Sequence, residues 1–196
     1  MKQEQITTLI RTAFSSRSSY PPDEVVRKIE NIAIVSTIDK NSIILNLWEE
    51  QREVYLIYSG IARSYYLDQY GNDITKSFMV ESDFCLGESL FDEGRSMQIV
   101  EAIEPIVALK FHTGMLKDII LNSPYLTRVY LGYLEKVLIY KMKRESSFQM
   151  MSATERYVEF LKDYKKVECR VNQSYIASYL GITPESLSRI KRSLKE

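Results

Sequence analysis

The stretch that most constrains this chain runs from Asn172 to Leu194, NQSYIASYLGITPESLSRIKRSL. It reads as two short helices joined by a tight turn. Asn172 is a strong N-cap, because its side-chain oxygen accepts a free amide of the first turn. The helix that follows buries Ile176, Ala177 and Leu180. Gly181 stands where the chain must leave that helix, a position that often needs positive φ, and Ile182 fills the corner. Thr183 caps the second helix, and Pro184 takes its first position, where a missing amide costs nothing. Leu187, Ile190 and Leu194 recur at spacings of three and four, which marks a buried stripe. The opposite face carries Glu185, Ser186, Ser188, Arg189, Lys191 and Arg192.

This layout is that of a helix-turn-helix whose second helix lies in the DNA major groove. The small Ala177 lets the two helices cross closely. A plain helical hairpin would satisfy the same apolar positions. It would not call for a polar, basic outer face on the second helix.

Upstream, EQITTLIRTAF at 4–14 puts Ile6, Leu9, Ile10, Ala13 and Phe14 on one helical face. SSRSSYPPDE reads as a loop, with helical patterning resuming briefly at Val25–Ile29. From Ile32 to Lys110 the period changes to two. Strands are predicted near Ile32–Ile38, Ser42–Leu47, Val54–Tyr58, Ile61–Leu67, Ile74–Val80, Phe84–Leu86, Met97–Ala102 and Ile106–Lys110. Turn residues separate them at Asp39-Lys40-Asn41, Ser59-Gly60, Gln69 to Asp73 and Asp92-Glu93-Gly94. Eight short strands at regular spacing predict a small barrel or sandwich. Tyr55, Tyr58, Tyr65, Tyr66 and Tyr70 cluster in this region and read as strand packing.

Ser123-Pro124 marks the start of a long helix that runs to about Phe148. Leu126, Tyr130, Tyr133, Val137 and Tyr140 form one stripe; Leu131, Leu134, Leu138 and Met142 form another. One stripe can lie on the chain's own barrel while the other meets a second copy as a coiled coil. The tyrosine-bearing stripe is assigned to dimerisation. Lys143-Arg144 leads into a hinge, after which Ser152 to Glu155 form a capping box that opens a further helix, with Tyr157, Val158, Phe160 and Leu161 apolar. KKVECR reads as a connector.

The fold class is therefore α+β. An N-terminal antiparallel β-roll, jelly-roll-like, is expected over 1–112, with a linker and dimerisation helix over 113–149. A C-terminal helix-turn-helix follows over 150–196, its second helix spanning 184–195. The net charge of zero hides an asymmetry. From Lys136 onward there are 13 Lys and Arg against 7 Asp and Glu, and the balance reverses in the rest. A basic C-terminal end fits a nucleic-acid module joined to a sensor. No apolar run is long enough to span a membrane and no signal peptide is expected. Cys85 and Cys169 lack metal-ligand spacing, which predicts a reduced, cytoplasmic protein without a metal. His112 is the only histidine and has no triad or metal partners nearby in sequence. No catalytic residues are assigned.

The order of helix, roll, long helix and three-helix module resembles the cyclic-AMP receptor protein/Fnr family of bacterial transcription regulators. IASYLGITPESLSRI carries the likeness most specifically and is most similar to the subgroup common in Bacteroidetes. SGIARSYYLDQYGNDITKSFMVESDF resembles the family's central roll strands. The resemblance implies a homodimer that binds double-stranded promoter DNA, with RNA polymerase as a further partner and the roll as a sensor. It implies base readers at Pro184, Glu185 and Arg189. Glu185 suits cytosine N4 and Arg189 suits guanine, while Pro184 replaces a basic reader found in relatives. Thr183, Ser186 and Ser188 suit phosphates or bases, and Lys191 and Arg192 suit backbone charge. The family's β-hairpin wing is not expected after Glu196.

For an effector, the resemblance points to Gly87, Glu88, Ser89, Arg95 and Ser96, where relatives hold a cyclic phosphate. The loop between Gly87-Glu88 and Arg95-Ser96 is shorter than theirs. Aligning on Ala102 puts Ser96 or Met97 in the arginine's place. Cyclic AMP, another small effector, or none all stay open. No cysteine cluster for an iron–sulfur sensor is present. The alternative function is a small-molecule sensor or interaction protein with a degenerate DNA-binding module.

Overall fold

The computed structural model describes residues 1–16, 19–91 and 94–194. Of the expected loop after the first helix, Arg17 and Ser18 lie outside the described residues. So do Asp92 and Glu93 of the expected Asp92-Glu93-Gly94 turn, and Lys195 and Glu196.

Two helices, α1 (Gln3–Ala13) and α2 (Asp23–Ile32), precede eight strands. These are β1 (Ile34–Ile38), β2 (Ile43–Leu45), β3 (Glu53–Ser59), β4 (Ala62–Leu67), β5 (Asp73–Met79), β6 (Phe84–Cys85), β7 (Ile99–Ala102) and β8 (Ile106–His112). Every expected strand is present, within a few residues of its expected ends. They form two four-stranded antiparallel sheets, in the orders β1-β8-β3-β6 and β2-β7-β4-β5. Leu45, Ile57, Ala62, Met79, Val100, Ala102, Ile106 and Ala108 form the core between them. Their alternation along the strands is what turns one face of each sheet inward.

The N-terminal side of the roll is sealed by α1, α2, α3 (Thr113–Leu121) and the start of α4 (Pro124–Met150). Helix α2 is longer than the brief patterning at 25–29 implied, because Pro22 and the acidic pair Asp23-Glu24 make an efficient start. Helix α3 has no counterpart in the sequence reading: the residues around Thr113-Gly114 lack a cap signal, and His112 makes no side-chain cap bond. Helix α4 does begin at Ser123, whose hydroxyl accepts the Leu126 amide. It runs through Lys143 and Arg144 to Met150, close to its expected end, and the extended Met151 breaks it from the helix that follows.

The capping box closes as expected: the Glu155 amide donates to Ser152, and the Ser152 amide donates to the Glu155 carboxylate at 2.8 Å. Helix α5 (Ala153–Asp163) follows, then a one-turn helix α6 (Lys165–Glu168) in place of the expected connector, then α7 (Gln173–Leu180) and α8 (Pro184–Ser193). No strand follows α8 among the described residues. Tyr157, Phe160, Val167, Ile176, Leu180 and Leu187 form the small C-terminal core, and it is continuous with Ile61, Phe78 and Ile103 of the roll. No helix among the described residues is long and apolar enough to cross a membrane.

Candidate nucleic-acid interface and sensor cleft

The α7–α8 corner is built by its caps. Asn172 Oδ1 accepts from the Ser174 amide at 3.0 Å. Gly181 adopts φ +67°, and the amide of Ile182 reaches back to the Ala177 carbonyl at 3.0 Å. This is the doubled-back helix end that favours glycine. A Cβ on Gly181 would lie 2.8 Å from the Phe148 ring. Thr183 Oγ1 accepts from the Ser186 amide at 3.2 Å, with Pro184 in the first helical turn. Ala177 and Leu187 are buried where the helices meet.

The outward side of α8 is open. Thr183, Pro184, Glu185, Ser188, Arg189 and Arg192 are exposed, and Ser186 is half-buried beside Thr183. The Glu185 carboxyl is held below its usual range by its own backbone amide and by the Thr183 hydroxyl, so it is an ionised acceptor. Lys191 departs from expectation: its ammonium is tied to Glu168 of α6 and to Gln173 of α7, which removes it from the free basic face.

Helix α4 turns the tyrosine stripe, which the sequence reading assigned to dimerisation, toward the chain's own roll. Leu126 is 1% exposed. Tyr130, Tyr133, Val137 and Tyr140 line a cleft of about 720 Å³ between α4 and the roll. The second stripe faces out, with Leu131 60% and Leu138 58% exposed and Leu134 and Met142 exposed beside them. Two apolar stripes in the sequence cannot say which one the roll takes. Phe91 packs against Tyr130 on the roll side, and the Tyr140 hydroxyl lies 3.0 Å from that of Tyr179 on α7, so both ends of the tyrosine stripe are held.

Gly87, Glu88 and Ser89 line the same cleft, whereas Arg95 and Ser96 do not. The turn is satisfied internally. The Gly87 amide donates to Gln51 at 2.7 Å, and the Glu88 carboxylate accepts from the Ser96 hydroxyl and the Met97 amide at 3.3 and 3.2 Å. Ser96 is buried, while Arg95 is exposed and bridges Glu50 through its backbone. The structure thus brings Gly87, Glu88 and Ser96 together and leaves Arg95 apart. Among the described residues no metal-binding cluster is found.

Sequence reasoning missed the cations that join the roll to the C-terminal helices. Arg63 on β4 is 2% exposed; it pairs with Asp73 at 2.5 Å and Glu101 at 2.7 Å and lies 3.6 Å from the Tyr175 ring of α7. Arg170 pairs with Glu81 at 2.9 Å and Glu104 at 2.6 Å. The Thr75 amide donates to Ser178, and Arg144 donates to the Tyr179 carbonyl at 2.7 Å. Arg63 sits inside a strand pattern, where alternation reads a charged residue as solvent-facing, and neither Arg144 in the long helix nor Arg170 in the expected connector carries a sequence signal of its partner.

No family model and no curated protein matches the chain. Among solved structures it is similar to FixK2 from Bradyrhizobium japonicum, at 20% identity over 84% of this chain and 85% of that one, with a TM-score of 0.73. It is similar to CLP of Xanthomonas campestris, a regulator described as responsive to c-di-GMP, at 14% identity over 89% and 92% with a TM-score of 0.71. A transcriptional regulator of the Crp/Fnr family from Eubacterium rectale matches at 20% identity over 89% and 84%, TM-score 0.67. The chain has the fold of these regulators.

Proposed function

We propose that the protein is a homodimeric, DNA-binding transcription regulator whose roll is the sensor half. The observation that carries this reading is the open polar face of α8, with Glu185, Ser188, Arg189 and Arg192 exposed on a helix positioned by intact caps. That face offers two guanidinium donors, one acceptor and short hydroxyls, the set that reads base edges and anchors phosphates. On this reading, residues 1–112 sense, 113–149 connect and pair, and 150–196 bind DNA.

Pairing is assigned to Leu131, Leu134, Leu138 and Met142 of α4. Four large apolar side chains in line on one helix are costly in water and complete a coiled-coil seam when a second copy covers them. A two-fold pair sets two α8 helices about one DNA turn apart on a palindromic site.

Cyclic AMP is not the effector favoured. A cyclic phosphate needs a cation beside the Gly87 turn, and Arg95 lies outside the cleft. An interaction protein with a spent DNA module would have no use for an uncovered Arg189–Arg192 face. The two readings separate on salt. Affinity for duplex DNA is expected to fall by roughly 0.9 log unit per neutralised phosphate for each log unit of salt. A flat salt response, or no binding at low salt, removes the regulator reading.

A further inference from the structure

We infer that the end of the cleft nearest the helix-turn-helix is a seat for a small organic anion, a carboxylate or phosphate ester on an aromatic body, held between Lys76 of β5 and Arg144 of α4. The inference deepens the sensor role proposed above and rests on it for its regulatory consequence. The binding itself stands on geometry alone.

Four cations line this cleft: Lys76, Lys136, Lys141 and Arg144. Lys76 Nζ has a single hydrogen bond, to Gln98 Oε1 at 2.7 Å, and lies 5.5 Å from the Tyr66 ring. An ammonium has three donors to satisfy, and no carboxylate among the described residues pairs with this one. Arg144 is likewise met by neutral groups only: the carbonyls of Tyr179 and Thr75 at 2.7 and 3.4 Å, and the rings of Tyr179 and Phe148 at 3.9 and 5.0 Å. The two carboxylates in the lining are engaged elsewhere. Asp83 accepts from the Val80 amide at 2.9 Å, and Glu88 closes the turn to Ser96 and Met97.

The result is a sheltered, net positive site whose lining carboxylates are hydrogen-bonded to other groups. Burial and the nearby Lys141 pull the Lys76 amine down to about 8, and the Glu88 charge opposes this only in part. An anion placed there would gain charge-assisted hydrogen bonds from both sides. Tyr66, Tyr140, Tyr164 and Val137 also line the cleft, whose whole volume of about 720 Å³ is room for an organic molecule beyond a bare ion. This seat shares no residue with the Gly87–Ser96 turn.

Its position gives it a consequence. Arg144 both lines the cleft and holds the end of α7 through the Tyr179 carbonyl. An anion that draws on Arg144 competes for that hold, so occupancy is reported to the helix that carries α8.

The test uses the full chain, phenyl phosphate and benzoate as probes, and benzamide and inorganic phosphate as controls. Both aromatic anions are expected to raise the thermal midpoint, the stronger of them identifying the acid group preferred. Lys76→Met and Arg144→Gln are each expected to weaken binding by about tenfold, the loss of one charge-assisted bond, and Lys76→Arg to retain it. Circular dichroism establishes that each variant is folded. Equal shifts with benzamide, equal shifts with inorganic phosphate, no shift with either aromatic anion, or undiminished binding by folded Lys76→Met overturns the inference. Duplex-DNA binding measured beside it keeps the two proposals apart. Anion failure with DNA binding intact removes only this one, and DNA failure with anion binding intact removes only the regulator.

Discussion

At the scale of single residues, two positions carry more than their neighbours. Gly181 has to adopt φ +67°, and its missing Cβ makes room for Phe148. Gly181→Ala is expected to cost about 1–2 kcal/mol for the left-handed backbone, with the ring overlap added. The thermal midpoint should fall by about 2–4 °C per kcal/mol. Adding Phe148→Ala should recover only the overlap, and a full recovery would show that backbone strain is not the cause. Lys76 makes a pH-dependent contribution. Its amine is lowered to about 8, first by burial, then by Lys141, with the Glu88 charge opposing; Tyr66 is the other titratable group beside it. Below about pH 8 both folded and unfolded chains hold the proton, and the burial penalty is present in full. From about 8 to 10 the folded chain sheds it while the unfolded chain keeps it, so stability rises with pH. Relative to Lys76→Met, the native chain is expected to gain about 1–2 kcal/mol over that interval in denaturant titrations, allowing for partial exposure. The Tyr66 contribution cancels in the comparison. A parallel pH response in both proteins would contradict this account of Lys76.

At the scale of elements, what the sequence made legible depended on local chemistry. The caps at Asn172, Ser152, Ser123 and Thr183 lie within a few residues of the amides they satisfy, so their helices could be placed from pattern alone. The strands were legible because alternation follows directly from the pleat. Helix α3 was not, since its stability comes from Leu116 and Ile120 packing into the roll's flank and not from a start signal. The choice between the two stripes of α4 was also hidden, because both have helical period and only the roll's own surface selects one. Its exposed stripe gives a direct test. Leu131→Glu with Leu138→Glu is expected to leave the fold unchanged, both side chains being on the surface, and to bring the particle to the 22.9 kDa mass of one chain in sedimentation equilibrium. A variant that still sediments as a dimer would move pairing off this stripe.

At the scale of the whole molecule, a roll with an acidic balance and a basic helical end are joined by Arg63, Arg170 and Arg144, which cross between them. The charge asymmetry was readable as composition. The crossings were not, because Arg63 and Arg170 meet partners such as Glu101 and Glu104 that are distant in sequence. In this arrangement the polar side of α8 stays uncovered by its own roll, and the regulator reading depends on that. The decisive measurement is selection of bound sequences from random duplex DNA, with the purified full chain and with Arg189→Ala. The native chain should enrich a palindrome with half-sites about one helical turn apart. Arg189→Ala should lose preference at one position per half-site, at about 1–3 kcal/mol. No enrichment by the native chain, or the same enriched site from both proteins, would contradict the assignment of α8 as the DNA-reading helix.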